Sequence, residues 1–337
     1  MNESGPSAVR GRLAPSPTGL LHLGNAYAFL MAWLSVRSRG GALVLRMEDI
    51  DPERSRPAFI DGIYEDLNWL GLDCDESPQQ GGPYAPYAQS LRLEYYAAVL
   101  ERLRGAGLVY PCYCTRKELR LLASAPHVGD EGAPYPGACR SLSDEARRAH
   151  EASGRRPALR LNTEAGAPHQ TEARTVTFTD GVLGPQRFSM ADCGGDFALR
   201  RSDGVVAYQL AVVADDAAMG VTEVVRGDDL LLSTPRQLLL FDLLGETPPR
   251  YAHVPLLHDA SGERLAKRHQ SLTLASLRAS GASPEAVVGY IGWLAGLLER
   301  PAPRRPGELL PGFSLAALRG RRLLLPEDAA GRIVALR

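Results

Sequence analysis

Arg12-Leu-Ala-Pro-Ser-Pro-Thr-Gly19, followed after two leucines by His22-Leu-Gly-Asn25, is the stretch that decides how this chain folds. Ahead of it lies a strand-like start, Val9 to Leu13. Behind it runs an apolar helical stretch, Ala26 to Val36. Strand, proline- and glycine-rich loop, then helix is the order that aims backbone N–H groups and a positive helix end at an anion. A histidine placed there can donate to a phosphate oxygen near neutral pH. On their own, these residues equally fit a turn in which Ser16 or Thr18 caps the helix and His22 merely packs.

Moving outward, Gly41-Ala-Leu-Val-Leu-Arg46 reads as a second strand. It runs into the acidic turn Met47-Glu-Asp-Ile-Asp-Pro52. A helix is expected over roughly Ala58 to Leu70, with Gly71 as its C-cap. This alternation argues for a parallel sheet. From about Tyr110 the texture changes. Cys112-Tyr-Cys114 opens a region rich in Gly, Pro and Ala, with helical pieces near Thr115 to Ala123 and Ser143 to Ala152. Shorter β-like segments follow at Ala158 to Asn162, Arg174 to Thr179 and Gln186 to Ser189, so the region reads as an insertion. Stronger α/β signals return at Val205 to Val213, Gly220 to Val225 and a helix from Pro235 to Leu244. Strands near His253 to Leu257 lead to a polar loop, Asp259 to His269. The last convincing helix is Pro284 to Leu298.

The bulk properties narrow the class. Of 337 residues, 45% are hydrophobic and 23% charged, which excludes a disordered, collagen-like or coiled-coil chain. A net charge of −1 removes any argument from global basicity to nucleic acid. Five cysteines are an odd count for a disulfide framework, so metal binding is the better expectation for a cluster. No apolar signal segment precedes Arg12, and Ala286 to Leu298 is too short to span a bilayer, so a soluble cytoplasmic monomer is expected. Only Lys117 and Lys267 are lysine; every other basic residue among the 38 is arginine. Where lysine survives such a bias, its compact ammonium is a reason to look twice.

Arg12-Leu-Ala-Pro-Ser-Pro-Thr-Gly19 with His22-Leu-Gly-Asn25 resembles the first signature of class I aminoacyl-tRNA synthetases of the glutamyl/glutaminyl type. The resemblance continues through Leu45-Arg-Met-Glu-Asp-Ile-Asp51, Tyr208-Gln-Leu-Ala-Val-Val-Ala-Asp-Asp216 and Val221-Thr-Glu-Val-Val-Arg-Gly-Asp-Asp229. It ends at Arg264-Leu-Ala-Lys-Arg268, similar to the second class I signature. It implies an α/β fold: a Rossmann-like parallel sheet with a zinc-bearing insertion and a short helical C-terminal region. The divisions expected are 1–109 and 196–258 for the two halves of the catalytic domain. Residues 110–195 would form an inserted acceptor-type subdomain, and 259–337 the signature loop, helical region and basic tail.

The resemblance implies ATP-dependent formation of glutamyl-adenylate, with Mg2+ accompanying ATP. Arg12, Leu13, Ala14, Pro15, Ser16, Glu48, Tyr208 and Arg226 would line the glutamate site. Glu48 would meet the ammonium, and a guanidinium suits a carboxylate through paired hydrogen bonds. His22, Gly24, Asn25 and Lys267 would face ATP, with His22 and Lys267 as the catalytic pair and Lys267 beside the departing pyrophosphate. Two departures from the family pattern stand out. Asn25 replaces a second histidine, and Arg264 and Arg268 flank Lys267 where other residues are more common.

Cys112, Cys114 and Cys139 supply three thiolates, and a structural zinc wants four ligands. By spacing alone, His127 or His150 could supply the fourth. The resemblance implies Tyr135, in Tyr135-Pro-Gly-Ala-Cys139.

Length selects the branch. Only 70 residues follow Lys267, which leaves no room for an anticodon-binding domain of about 100–150 residues. The chain therefore resembles the short branch of that family. Its members activate L-glutamate without tRNA and transfer it to queuosine in the anticodon loop of tRNA(Asp). Arg300, Arg304, Arg305, Arg319, Arg321 and Arg322 are candidate phosphate contacts or a solvated basic tail. Two alternatives are a minimal glutamyl-tRNA synthetase charging a 3′ end and a non-catalytic RNA-binding paralogue.

Overall fold

The computed structural model describes residues 8–115, 117–119, 135, 137–165, 174–263, 265 and 270–336. The chain opens with β1 (Arg10–Leu13), α1 (Leu23–Arg37), β2 (Ala42–Leu45) and α2 (Pro57–Leu70). β1 and β2 pair in parallel, Arg10 opposite Ala42 through Leu13 opposite Leu45. Three residues in each strand are buried, so both strands read as apolar runs rather than alternating ones.

α1 begins earlier than its apolar stretch suggests. His22 is the N-cap: its Nδ1 accepts from Gly24 N at 3.1 Å, and Asn25 Oδ1 accepts from His22 N at 3.0 Å. This reciprocal box satisfies two otherwise orphaned backbone donors. The helix is buried almost all round because β1 and the later strand Glu223–Gly227 flank one side and the C-terminal region packs on another. Gly11 makes the close approach possible, since a Cβ there would collide with Val36 Cγ2. α2 has Pro57 at its start and ends at Gly71, whose φ of 74° is the left-handed C-cap that glycine adopts without cost.

α3 (Leu93–Gly105) leads into the inserted region. There β3 (Val109–Cys112), β4 (Ala158–Leu161) and β7 (Ala198–Arg200) form an antiparallel sheet with β4 central. Between β4 and β7 in sequence lies the hairpin β5 (Thr175–Asp180) and β6 (Gly184–Ser189).

After the helix Tyr208–Ala218, β8 (Glu223–Gly227) pairs in parallel with β9 (Arg250–Val254). Thr222 N donates to Arg10 O at 2.8 Å, tying this second parallel pair to the first. The helix Ser233–Leu244 connects β8 to β9. The short β10 (Leu257–His258) pairs with β11 (Leu323–Leu324) from the C-terminal region. The helix Pro284–Leu294 buries most of its faces and stops four residues short of Leu298, with Ala295 as its C-cap. Among the described residues, no helix is long and apolar enough to cross a membrane.

Candidate active site

The loop after β1 is held against the acidic turn after β2 by the backbone itself. Arg46 N donates to Leu13 O (2.9 Å) and Glu48 N to Pro15 O (2.9 Å), extending the strand pairing into the loops. Arg56 N, at the start of α2, donates to Pro17 O at 3.2 Å. Leu13 and Pro15 are buried, Ala14 is half-buried, and Ser16 is exposed at the loop's tip.

This clamp collects the charged side chains. Arg46 is fully buried; its Nη1 donates to Asp216 Oδ1 (2.6 Å) and its Nη2 to Glu48 Oε1 (3.1 Å). Asp215, next along the same helix, accepts from Arg92 Nε (2.7 Å), Gln89 Nε2 (2.9 Å) and the Tyr96 hydroxyl (2.9 Å). Arg46 and Arg92 thus consume both aspartates.

Arg12 is left over. Its nearest carboxylate is Asp216 Oδ1, 3.8 Å from Nε, and Nε makes no hydrogen bond although it is buried. Burial pushes its pKa down, with Arg46 and Arg226 adding to the effect against Asp216. Burial pushes Glu48 up, opposed by Arg46 and Arg12. Tyr208 is pushed up by burial and also senses Arg226, Glu48 and Arg12. Arg12, Glu48 and Arg226 are buried and Tyr208 is half-buried, with Arg226 Nη1 3.5 Å from the Tyr208 hydroxyl.

Among the described residues, Arg226, on β8, is bonded only to neutral groups. Its Nε donates to His253 Nε2 (3.1 Å). Its Nη2 donates to Thr234 Oγ1 (2.8 Å) and Leu230 O (3.3 Å), and its Nη1 reaches the Tyr208 hydroxyl at 3.5 Å. His253 is fully buried, and its Nδ1 lies 2.6 Å from Asp180 Oδ2. Burial and the neighbouring Arg226 hold His253 below the usual imidazole pKa, despite Asp180. Asp180 experiences an upward push from burial, but hydrogen bonds from His253, Leu183 and Val182 outweigh it and its pKa is lowered.

Asp180, His253 and Thr234 were not expected from the sequence. The signals available were a buried-strand pattern around His253 and the Asp180-Gly181 turn, neither of which points to a site. His22, Gly24 and Asn25 lie together at the start of α1, where His22 Nδ1 and Asn25 Oδ1 serve the cap. Lys267, Arg264 and Arg268 lie outside the described residues.

A second cluster sits in the inserted region. The Sγ atoms of Cys112, Cys114 and Cys139 all lie within 4.8 Å of one another. The Tyr135 hydroxyl is 3.4 Å from Cys112 Sγ and 4.0 Å from Cys114 Sγ. Tyr135 is pinned there by its own N–H, which donates to Gly194 O at 2.9 Å. His150 instead stacks on Tyr113, ring centroids 4.9 Å apart, and His127 lies outside the described residues. In this apolar setting burial pushes the Cys114 thiol up to about 12, with Cys112 adding to the shift.

The basic tail is partly engaged in the fold. Arg319 Nε donates to Val182 O (2.8 Å), Arg321 Nε to Ala317 O (2.9 Å), and Arg305 N to Glu308 Oε2 (2.7 Å).

Residues 8–298 match the catalytic domain of class I tRNA synthetases (E and Q). A glutamyl-Q tRNA(Asp) synthetase of Nitratidesulfovibrio vulgaris is 58% identical, covering 96% of this chain and 98% of that protein. Another of that name, from Symbiobacterium thermophilum, is 52% identical over 94% of this chain and 96% of its own length. The glutamate-tRNA synthetase of Elizabethkingia anophelis superposes with a TM-score of 0.80 at 27% identity, covering 97% of this chain and 70% of that one. With its motifs, fold and near full-length relatives in agreement, the chain belongs to the class I tRNA synthetases of the glutamyl and glutaminyl type, ATP-dependent ligases, in the glutamyl-Q tRNA(Asp) synthetase branch.

Proposed function

We propose that this enzyme activates L-glutamate with ATP and transfers it to queuosine in tRNA(Asp). One observation carries the amino-acid assignment. Among the described residues, two buried guanidiniums, Arg12 and Arg226, lack a hydrogen-bonded carboxylate, while the buried carboxylate of Glu48, bonded to Arg46, is within electrostatic reach of Arg12. A buried cation without a bonded anion is costly. Glutamate offers two carboxylates and one ammonium, the complement of this set. Arg12 and Arg226 take its carboxylates, Glu48 its ammonium, and Tyr208 and the 13–16 loop close around it.

In the activation step an α-carboxylate oxygen attacks the ATP α-phosphorus. The bond to the bridging oxygen breaks, and pyrophosphate leaves with the electron pair. The protein's contribution is positioning and charge stabilisation. His22, at the start of α1, faces the phosphates. Its Nδ1 accepts from Gly24 N, which fixes the tautomer that carries the proton on Nε2. Lys267 is assigned to the departing pyrophosphate and Mg2+ to ATP by the resemblance. In the second step the acceptor on queuosine attacks the activated carbonyl carbon and AMP leaves. Matching over 98% and 96% of two relatives named for that tRNA supports this acceptor.

The donor set at Cys112, Cys114, Cys139 and Tyr135 fits zinc: three sulfurs and one oxygen converge without a disulfide. Burial and the neighbouring thiols push the Tyr135 hydroxyl up, so the charge of a bound zinc would be what favours its phenolate. When bound, zinc supplies a cross-link within the inserted region.

The test is amino-acid-dependent ATP–pyrophosphate exchange without RNA, followed by transfer of labelled glutamate to tRNA(Asp) with and without queuosine. Exchange with glutamate alone and labelling only of the queuosine-bearing tRNA are expected. Exchange that requires tRNA, or labelling of a tRNA 3′ end, overturns the acceptor assignment.

A further inference from the structure

We infer that His253 and Asp180 are positioning residues that aim the Arg226 guanidinium at the substrate carboxylate. The inference rests on the reading of Arg226 as a glutamate contact. It goes beyond that reading by naming what holds the contact in place.

Arg226 Nε–H can only donate. His253 Nε2, 3.1 Å away, must therefore accept, and the ring proton sits on Nδ1. That proton faces Asp180 Oδ2 at 2.6 Å. Thr234 completes the arrangement: its Oγ1 accepts from Arg226 Nη2 (2.8 Å) and lies 3.1 Å from His253 Nε2. Nε and one Nη of Arg226 are thus fixed from behind. A guanidinium held at two nitrogens cannot rotate about its long side chain, so its remaining donors keep one direction.

Asp180 is itself over-determined. Its Oδ1 accepts from Val182 N (2.9 Å), Leu183 N (2.9 Å) and His253 N (3.1 Å). It is the last residue of β5, where the chain turns into β6, and Gly181 N donates to Tyr251 O at 2.8 Å, docking that turn on β9. An asparagine oxygen would serve the three backbone donors as well as Oδ1 does; the second oxygen, Oδ2, meets His253 Nδ1. The charge is explained if its task is to fix the histidine tautomer that Arg226 needs.

Paired substitutions test this in the full-length enzyme, read by ATP–pyrophosphate exchange. His253→Gln keeps an acceptor facing Arg226 but loses the donor to Asp180. His253→Asn keeps a donor facing Asp180 but loses the acceptor. Asp180→Asn permits the other tautomer, which sets an N–H against the Arg226 N–H. The expected result is a KM for glutamate raised ~10-fold or more in His253→Asn and Asp180→Asn, the fold-change that follows from losing a hydrogen bond to a charged group. KM for ATP should be unchanged, and His253→Gln should stay within ~3-fold of the parent by the same reckoning. Thermal melting accompanies each variant.

A structural role alone predicts the reverse, with His253→Asn tolerated and His253→Gln impaired, and that result overturns the inference. So does an unchanged glutamate KM in all three. Arg226→Lys separates the levels. If it leaves the glutamate KM unchanged, the pocket reading itself fails. If it raises that KM while the His253 and Asp180 variants do not, only the positioning inference fails.

Discussion

Arg46 Nη1 and Asp216 Oδ1 meet at 2.6 Å, with the arginine fully buried and the aspartate nearly so. This pair joins the end of β2 to the helix Tyr208–Ala218, elements 170 residues apart in sequence. Removing one partner strands the other charge in the interior. Arg46→Met is expected to cost ~3–5 kcal/mol, measured by urea unfolding. A cost under ~1 kcal/mol, the level of an exposed pair, would show that the pair does not hold the two halves together.

Glutamate affinity should divide between Arg12 and Glu48 without touching ATP. Arg12→Ala is expected to raise the glutamate KM by ~100-fold and Glu48→Gln by ~10–100-fold, the range for losing one charged hydrogen-bonding partner. KM for ATP should hold steady. An equal rise in both constants would place these residues in the scaffold instead.

Asp66 gives a stability prediction with a definite sign. Its side chain is almost fully buried, Oδ1 has no hydrogen-bond partner, and Arg278 Nη2 lies 3.6 Å away. Burial pushes its carboxyl up to about 6, opposed by Arg278. The folded state therefore holds the proton more tightly than the unfolded chain. That favours folding below pH ~4, and the benefit is lost as pH rises through about 6. Asp66→Asn should raise Tm at pH 7–8, by about 1 kcal/mol in stability once screening by Arg278 and water is allowed for. The gain should vanish near pH 4. A lower Tm at pH 8 would mean that the carboxylate is stabilising.

Elemental analysis of purified protein should find about one zinc per chain. Cys112→Ser and Cys139→Ser should lose it, while Cys74→Ser, remote from the cluster, should keep it. Full zinc content in Cys139→Ser would remove that thiol from the ligand set.

Gly289 lies within the buried helix Pro284–Leu294, where a Cβ would overlap the Ala302 carbonyl oxygen. Gly289→Ala should destabilise by ~1–3 kcal/mol, although alanine is the better helix former. An increase in Tm would show that the 300–304 segment moves aside freely.

Much of this is legible in the sequence. Pro57 and Gly71 bracket α2 because proline and glycine act through backbone geometry alone. Arg12, Glu48, Tyr208 and Arg226 were named from motifs, and the fold brings them into one environment. α3, absent from the sequence reading, carries its buried Tyr96, Val99, Leu100 and Leu103 at the i, i+3, i+4, i+7 spacing of an amphipathic helix, so its signal was present. Other features were not legible. Val205 to Val213 reads equally as strand or helix because the helix Tyr208–Ala218 is buried nearly all round. His253 looks like one polar residue in an apolar strand. Its meaning depends on a tautomer set by Asp180, 73 positions away, and no local pattern carries that.

The Asp180 turn is gripped by distant parts of the chain. β9 holds it through Tyr251 and His253, and Arg319 reaches Val182 O across 137 residues. Contacts of such separation form late, because loop closure comes before their reward. During synthesis, Arg226 leaves the ribosome well before its support is finished. His253 arrives next, and the grip from Arg319 follows it. A nascent chain that has reached Arg226 but not Arg319 thus carries this guanidinium before the last clamp on the Asp180 turn exists.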